Sequence, residues 1–153
     1  MQQLTMFEAP RPCAPKNNGT QGSQAVRSGR AAEDTIYCIL KERGYDVHRQ
    51  SALGKSLKGG QITVDFLVMG HKDFPNGLII ESKWQEVPGS TDEKLFALLA
   101  DIQMRYPHPT VVVIGGGGAR QSIIDHLRNH VGYQNLHAVM DFEEFLTWVI
   151  RHF

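Results

Sequence analysis

The sequence predicts an α/β domain in which helices flank a mixed central β-sheet. Short apolar runs of strand length alternate along the chain with segments of helical periodicity. Three of the strand-like runs follow one another before the second helical segment, and the later ones alternate with helices. The resulting order, α-β-β-β-α-β-α-β-α, is typical of a mixed sheet with helices packed against it.

The first helix is predicted in AAEDTIYCILKERGY, where Ile36, Ile39 and Leu40 form one apolar stripe and a glycine ends the helix. The second helix has a clear start signal, because Ser90 can cap it while Glu93 reaches back to the cap. The remaining elements, in order, are the strand YDVHRQSA, the basic glycine-rich loop GKSLKGGQ, the strands QITVDFLVM and GLIIESKW, the helix PGSTDEKLFALLADIQMRY, the strand TVVVIGGGG, the helix ARQSIIDHLRNHV, the strand LHAVMD and the helix FEEFLTWVIRHF.

The N-terminal segment differs in composition from the rest of the chain. Residues 1–26 are rich in Pro, Gly, Asn, Gln and Ser, and such a stretch buries too little apolar surface to offset its ordering entropy. From Arg27 onward the character changes and helical periodicity begins. We therefore expect a flexible N-terminal tail over residues 1–26 and one folded domain over residues 27–153.

The bulk composition restricts the partners and the compartment. Lys plus Arg and Asp plus Glu both number 16, so the chain has no global field, and a nucleic-acid site would have to be a local patch. Cys13 and Cys38 are the only cysteines, which argues against a disulfide scaffold and fits a reducing cytoplasm. No apolar run has the length needed to cross a bilayer, so we expect no membrane partner.

Two acidic residues stand in the middle of apolar runs, Asp65 in ITVDFLV and Glu81 in LIIESKW. A carboxylate buried alone is costly, so each should have a compensating partner. The two lie equally far from Asp73, the midpoint of the connection, and would be cross-strand neighbours in a regular hairpin. Lys83 lies two residues beyond Glu81 and shares its face of the strand. The hairpin is therefore predicted to present two carboxylates and an ammonium at one place.

This combination of groups suits the hydrolysis of a phosphodiester. Two close carboxylates can hold a hard cation such as Mg²⁺, which polarises the phosphorus centre, and the carbonyl of Ser82 is a further candidate ligand. Lys83 can orient the attacking water and stabilise charge that develops on the phosphoryl oxygens. The competing interpretation makes Glu81 and Lys83 a surface pair on an edge strand, but surface strands usually alternate and LIIESKW does not.

The pattern Asp65 … Glu81-Ser82-Lys83 resembles that of the PD-(D/E)XK nuclease superfamily, which includes many restriction endonucleases. The superfamily's core order, α-β-β-β-α-β, is similar to the order predicted from the first helix to the fourth strand. The resemblance implies a restriction-endonuclease-like fold, metal binding by Asp65 and Glu81, and Lys83 as the catalytic lysine. One departure is Val64, which stands where the superfamily's name has proline.

The same resemblance assigns roles to two further residues, and each has a plainer alternative. Many members carry a glutamate on the first helix that faces the metal, and Glu33 matches it, but an acidic residue in a first helical turn also stabilises the helix dipole. Gln85 completes ESKWQ, which is similar to the E-x-K-x-Q form of many members. It either positions the water or Lys83, or bonds a neighbouring backbone group.

Contacts with phosphates are predicted close to these acids. Lys55 and Lys58, with Arg49 nearby, lie just before the strand that carries Asp65, and the glycines around them leave the loop free to approach a nucleic-acid backbone. The rival interpretation is an ordinary solvated loop. Ser90 is also a candidate DNA contact, in addition to its predicted role as a helix cap.

Four consecutive glycines, residues 115–118, separate a predicted strand from a predicted helix. Such a run could hold an anion at the helix N-terminus. It lacks the Lys-Ser/Thr pair of a nucleotide-binding P-loop and does not fit G-x-G-x-x-G, so we interpret it as a tight strand-to-helix turn.

The tail contains one apolar segment, QLTMF, which includes Gln3, Leu4, Met6 and Phe7. The segment resembles the bacterial sliding-clamp-binding pentapeptide, in which the glutamine would bond the rim of the clamp pocket while the apolar side chains fill it. Such a tether would raise the local concentration of a nuclease on replicating DNA. The alternative is a chance apolar start of the chain.

These features predict a cytoplasmic DNA endonuclease that uses Mg²⁺ or Mn²⁺ in phage or bacterial replication, repair or recombination. A structure-specific Holliday-junction resolvase or an exonuclease of the same superfamily is one alternative. A non-catalytic clamp- or DNA-binding adaptor built on a nuclease fold is another. Because 153 residues are too few for two active sites, cleavage of both strands would favour a C2 homodimer.

Overall fold

The computed structural model describes residues 21–89 and 91–153, of which residues 21–27 and Thr91 are described as backbone only. Within these ranges the helices and strands follow one another in the predicted order. Their bounds are α1 Gln21–Glu42, β1 Asp46–Lys55, β2 Gln61–Met69, β3 Leu78–Trp84, α2 Thr91–Met104, β4 Thr110–Gly115, α3 Gln121–Asn129, β5 Leu136–Asp141 and α4 Phe142–His152.

The strands form one mixed sheet in the order β1-β2-β3-β4-β5. The first three strands are antiparallel neighbours, because turns connect them directly. β3, β4 and β5 are parallel neighbours, since α2 and α3 carry the chain back along the sheet between them. The predicted α/β class, with a mixed central sheet flanked by helices, is confirmed.

The sheet buries apolar side chains on both of its faces. On one face, α2 and α3 pack against strand residues, as Leu95 does with Ile79 in one core cluster. On the other face, α1 and α4 pack against the sheet, as Ile36 and Phe145 do with Ile80. Successive residues of β3 therefore enter opposite cores, and this central strand is covered on both sides.

The alternation of side chains along β2 is interrupted at Asp65, so residues before and after it point to different faces of the sheet than regular pleating would give. Val64 belongs to the core under α2 and α3, whereas Phe66 belongs to the core under α1 and α4, although regular pleating would keep both on one face. The change coincides with Gln50 of β1, which stands opposite Asp65 in the register and has a positive φ of 50°. Residues other than glycine rarely adopt this conformation, and such strain concentrates at functional sites.

Two element boundaries differ from the predictions. α1 begins at Gln21 rather than near Arg27, so residues 21–26, which the prediction assigned to the tail, are helical. These residues carry no apolar stripe, which is the signal that the prediction relied on, and they extend a helix whose nucleation cost is met further along the chain. β1 continues into the first two residues of the predicted loop and ends at Lys55, and a register shift after Ala52 absorbs an extra residue.

Residues 1–20 lie outside the described part of the chain. They include most of the predicted tail and all four residues proposed to bind a sliding clamp, namely Gln3, Leu4, Met6 and Phe7. Within the described ranges, no helix combines the length and the apolar character that are needed to cross a bilayer.

Candidate active site

The β2–β3 hairpin brings Asp65 and Glu81 together as their spacing about Asp73 predicts. The hydrogen-bonded register pairs Phe66 with Ile80, and the next position along it is Asp65 opposite Glu81. Here the carboxylate of Asp65 replaces the backbone as acceptor, and its Oδ2 receives the N–H of Ser82 at 2.8 Å. The two strands therefore separate at this position, and their side chains occupy the opening.

Lys83 lies between the two carboxylates. Its Nζ is 2.9 Å from Glu81 Oε2 and 3.5 Å from Asp65 Oδ2, and 31% of its side chain is exposed. Burial alone would lower the pKa of Lys83, but the charges of Glu81 and Asp65 outweigh it, and the pKa is raised. Lys83 is therefore a stable cation within what we call the acid–lysine cluster, formed by Asp65, Glu81 and Lys83.

Glu81 is the most deeply buried member of the cluster. Its side chain is 3% exposed, and burial raises its pKa to about 7 although the charge of Lys83 opposes this shift. The hydroxyl of Tyr106 donates a hydrogen bond to Glu81 Oε1 at 2.7 Å. The two carboxylate oxygens of Glu81 thus have different partners, a core tyrosine on Oε1 and Lys83 on Oε2.

Glu33 lies within electrostatic range of the acid–lysine cluster. Its pKa is raised, first by burial and then by the negative charge of Asp65, while Arg49 and Lys83 lower it. Its carboxylate is 3.6 Å from the guanidinium of Arg49, and among the described contacts it makes no hydrogen bond to Asp65 or Glu81. Glu33 is therefore placed beside the two acids rather than in contact with them.

The backbone of Ser82 faces the opening between β2 and β3. The N–H groups of Ile79 and Gln85 both bond towards the β4 side, so the intervening even-numbered residues point to β2. The N–H of Ser82 accordingly reaches Asp65. Because the N–H and C=O of a strand residue point to the same neighbour, the Ser82 carbonyl is directed towards the same opening.

Gln85 and Arg49 make contacts away from the two acids. The side-chain amide of Gln85 donates to the carbonyl of Val87, which is the second of the two roles foreseen for it, a bond to a neighbouring backbone group. Arg49 bonds Asp34 at 2.7 Å, and its guanidinium lies 5.3 Å from the centre of the Tyr37 ring. These contacts attach β1 to α1, so the guanidinium of Arg49 is already engaged within the domain.

Lys55 and Lys58 lie at the exposed tip of the β1–β2 hairpin. Neither forms an ion pair within the described residues, so both ammonium groups face solvent. The tip is fixed by the N–H of Leu57, which donates to the carboxylate of Asp101 on α2 at 3.0 Å. The other predicted DNA contact, Ser90, lies outside the described residues, and so does its predicted role as the cap of α2.

The glycines of 115–118 pack backbone to backbone against the segment that follows Lys83. The N–H of Gln85 donates to Gly115, and the N–H of Gly118 donates to Gln85 at 2.7 Å. A Cβ on Gly118 would lie 2.6 Å from the Val87 nitrogen, so a side chain cannot be accommodated there. The structure therefore supports the interpretation of this run as a tight strand-to-helix turn.

Gly116→Ala is expected to lower the free energy of unfolding by about 3–5 kcal/mol, measured by urea denaturation. Gly116 has a φ of 87°, and a methyl group there would overlap the backbone of Gln85. The matched control is Gly117→Ala, because Gly117 also has a positive φ of 75° but no atom within 4 Å of an added Cβ. That variant should lose only about 1 kcal/mol, and equal losses would contradict the close backbone contact.

Two residues of the site were not identified from the sequence. Tyr106 lies just beyond α2, and nothing in its local pattern distinguishes it from a core aromatic residue. Gln50 lies opposite Asp65, and its side-chain amide is 3.5 Å from Asp65 Oδ1. Its positive φ is a property of the fold, so the sequence alone carried no signal for it.

The oxygen atoms that the site residues offer suit a divalent ion that keeps part of its water shell. Within residues 21–89 and 91–153, no three His, Cys, Asp or Glu side chains cluster closely enough to enclose a metal by themselves. Asp65, Glu81 and the Ser82 carbonyl instead offer oxygen atoms at one opening. Mg²⁺ is commonly bound by one or two carboxylates plus water and substrate phosphate, and this set of oxygen donors fits that mode.

Comparison with known proteins gives a family but no close relative. The model of the PD-(D/E)XK nuclease superfamily domain matches residues 24–153. The chain is also similar to the crystal structure of a protein of unknown function, AF1548, with 10% sequence identity and a TM-score of 0.48. That alignment covers 78% of this chain and 63% of the other. No curated protein matches the chain.

Proposed function

The chain belongs to the PD-(D/E)XK nuclease superfamily, and from this we propose that it is a DNA endonuclease dependent on Mg²⁺ or Mn²⁺. The observation that carries the proposal is the acid–lysine cluster, in which one ammonium lies 2.9 and 3.5 Å from carboxylates on two different strands. A structural ion pair needs only one acid. The second acid, together with the partial exposure of Lys83, favours a site that receives a substrate.

Each member of the site has a proposed role in phosphodiester hydrolysis. Asp65, Glu81 and the carbonyl of Ser82 would hold the cation, which when bound neutralises phosphate charge and supplies a water of lowered pKa. Lys83 orients the attacking water and stabilises the charge that develops on the phosphoryl oxygens. Glu33, beside but not touching Asp65, is proposed to accept hydrogen bonds from water around the cation.

DNA is proposed to extend from the acid–lysine cluster along β1. Lys55 lies five positions beyond Gln50 on this strand, which corresponds to about 17 Å in an extended chain. A duplex bound at the cluster would bring backbone phosphates to this distance, where Lys55 and Lys58 present their free ammonium groups. Arg49 is a weaker candidate because it is already bonded to Asp34.

The wider setting of the enzyme is also a proposal. One acid–lysine cluster per chain cuts one strand at a time, so a C2 homodimer would allow cleavage of both strands. The segment QLTMF would tether the enzyme to a bacterial sliding clamp. Replication, repair or recombination in the cytoplasm, in a phage or a bacterial cell, is the setting that this combination suits.

Asp65→Asn is expected to lower the rate of DNA cleavage by about a hundredfold or more, because the amide keeps the shape but removes the charge that binds the cation. The assay uses supercoiled plasmid and labelled linear, flap and junction duplexes with Mg²⁺. Asp73→Asn is the matched control, since Asp73 lies exposed in the β2–β3 connection. Equal cleavage by the wild type and both variants would indicate a contaminating nuclease and would remove the proposal.

A further inference from the structure

The two oxygens of the Glu81 carboxylate are in different environments. Oε1 accepts the hydroxyl of Tyr106 at 2.7 Å within the core, whereas Oε2 lies 2.9 Å from the ammonium of Lys83 at the opening between the strands. Only 3% of the Glu81 side chain is exposed, so this division between the oxygens is fixed by protein groups. One oxygen is used by the core, and the other is directed to the site.

Tyr106 is held firmly in the position from which it makes this bond. Tyr106 is 7% exposed, and it packs in the core with residues of α2 and α3. Its backbone N–H donates to the carbonyl of Asp101 at 2.9 Å, and its own carbonyl accepts the side-chain amide of Asn135. Because both sides of its backbone are anchored, the hydroxyl cannot follow Glu81 if the carboxylate rotates.

Asp65 shows a similar division. Its Oδ2 accepts the N–H of Ser82 at 2.8 Å and also faces Lys83, while Oδ1 is 3.5 Å from the amide of Gln50. Each acid therefore has one oxygen that is committed to a close protein donor. A cation bound through both oxygens of either acid would have to share the committed oxygen with that donor, which leaves it only the remaining lone pair.

This restriction bears on the choice between divalent ions. Ca²⁺ takes six to eight oxygen ligands and commonly binds carboxylates through both oxygens, whereas Mg²⁺ takes single oxygens and retains water. We propose that Tyr106 is a positioning residue that makes Glu81 a one-oxygen ligand and thereby favours Mg²⁺ over Ca²⁺. The inference rests on the proposed function, because it assumes that Glu81 binds the cation.

The test is calorimetric titration of the full chain with MgCl₂ and with CaCl₂, in the wild type and in Tyr106→Phe. Phenylalanine keeps the ring and removes only the hydroxyl, so Glu81 Oε1 becomes available. The affinity for Ca²⁺ relative to Mg²⁺ is expected to rise by about tenfold, the size of one gained charge-assisted contact. Tyr133→Phe is the matched control, because Tyr133 is 59% exposed, and it should leave the ratio unchanged.

The outcomes separate this inference from the proposed function. If the wild type binds neither ion, the metal-dependent function itself fails. If the wild type binds ions but Tyr106→Phe weakens both by the same factor, Tyr106 has only a structural role and the inference is wrong.

Infrared difference spectra of the wild type on addition of CaCl₂ give a readout that needs no variant. The splitting of the carboxylate stretching bands differs between one-oxygen and two-oxygen coordination. A one-oxygen signature is expected for both acids, and a two-oxygen signature would overturn the inference.

Discussion

Lys83→Met is expected to lower the rate of DNA cleavage by about a thousandfold while it tightens the binding of Mg²⁺ several-fold. In the described part of the chain Lys83 is the cation that pairs with Asp65 and Glu81, so its loss removes the ammonium that would stabilise charge developing on the phosphoryl oxygens. Without substrate, the same ammonium is the counter-charge of both acids, at 2.9 Å from Glu81 and 3.5 Å from Asp65. A divalent ion must share these oxygens with Lys83, so removal of the lysine removes a competitor.

The opposite direction of the two effects makes the measurement decisive. Cleavage rates at saturating Mg²⁺ and calorimetric affinities are compared for the wild type, Lys83→Met and Lys72→Met. Lys72 is an exposed lysine in the β2–β3 connection, so Lys72→Met should change neither quantity. Loss of both cleavage and Mg²⁺ binding in Lys83→Met would instead indicate that Lys83 supports the local structure, and the role proposed for it would be wrong.

The cross-strand pairing of the two acids could be predicted because hairpin register is a local property. The equal spacing of Asp65 and Glu81 about Asp73 specifies which residues face each other across an antiparallel pair. The register of Phe66 with Ile80 is the one that this spacing requires. The order of helices and strands was also predictable, because apolar periodicity within each element does not depend on distant contacts.

The surroundings of these acids could not be predicted, because they depend on contacts between elements that are distant in the sequence. Tyr106 reaches Glu81 from the end of α2, which requires the packing of α2 on the sheet. The change of side at Asp65 depends on the conformation of Gln50 on the neighbouring strand. The backbone of Gly118 bonds Gln85 because the glycine turn packs against this segment, an interaction between loops that strand alternation does not describe.

In the absence of divalent ions, the contribution of Glu81 to stability is expected to be lost as the pH rises through about 7. Burial raises the pKa of Glu81 from 4.5 to about 7, so between these values the native chain holds a proton that the unfolded chain has released. A rise in pH therefore favours the unfolded state. The contribution is complete below pH 4.5, and its loss corresponds to about 3 kcal/mol by pH 8.

Glu81→Gln isolates this contribution, because glutamine has a similar shape and does not titrate. Urea unfolding with EDTA at several pH values gives the free energies of unfolding of the wild type and Glu81→Gln. The effects of the other titrating groups are common to both chains and cancel in the difference between the two free energies. This difference should move in favour of Glu81→Gln between pH 4.5 and 8. Glu143→Gln, at an exposed position of α4, is the matched control for the removal of one acidic side chain.

Addition of saturating Mg²⁺ should reverse the result at pH 8, because the ion binds the ionised carboxylate of the native wild type and stabilises it by mass action. Glu81→Gln lacks that carboxylate, so Mg²⁺ should change its unfolding far less. Burial raises the pKa of Glu81 in the metal-free chain because a buried carboxylate beside Asp65 is costly. A bound cation would offset this cost by neutralising part of the negative charge. If Mg²⁺ stabilised both chains equally, the ion would be bound at a site that does not involve Glu81.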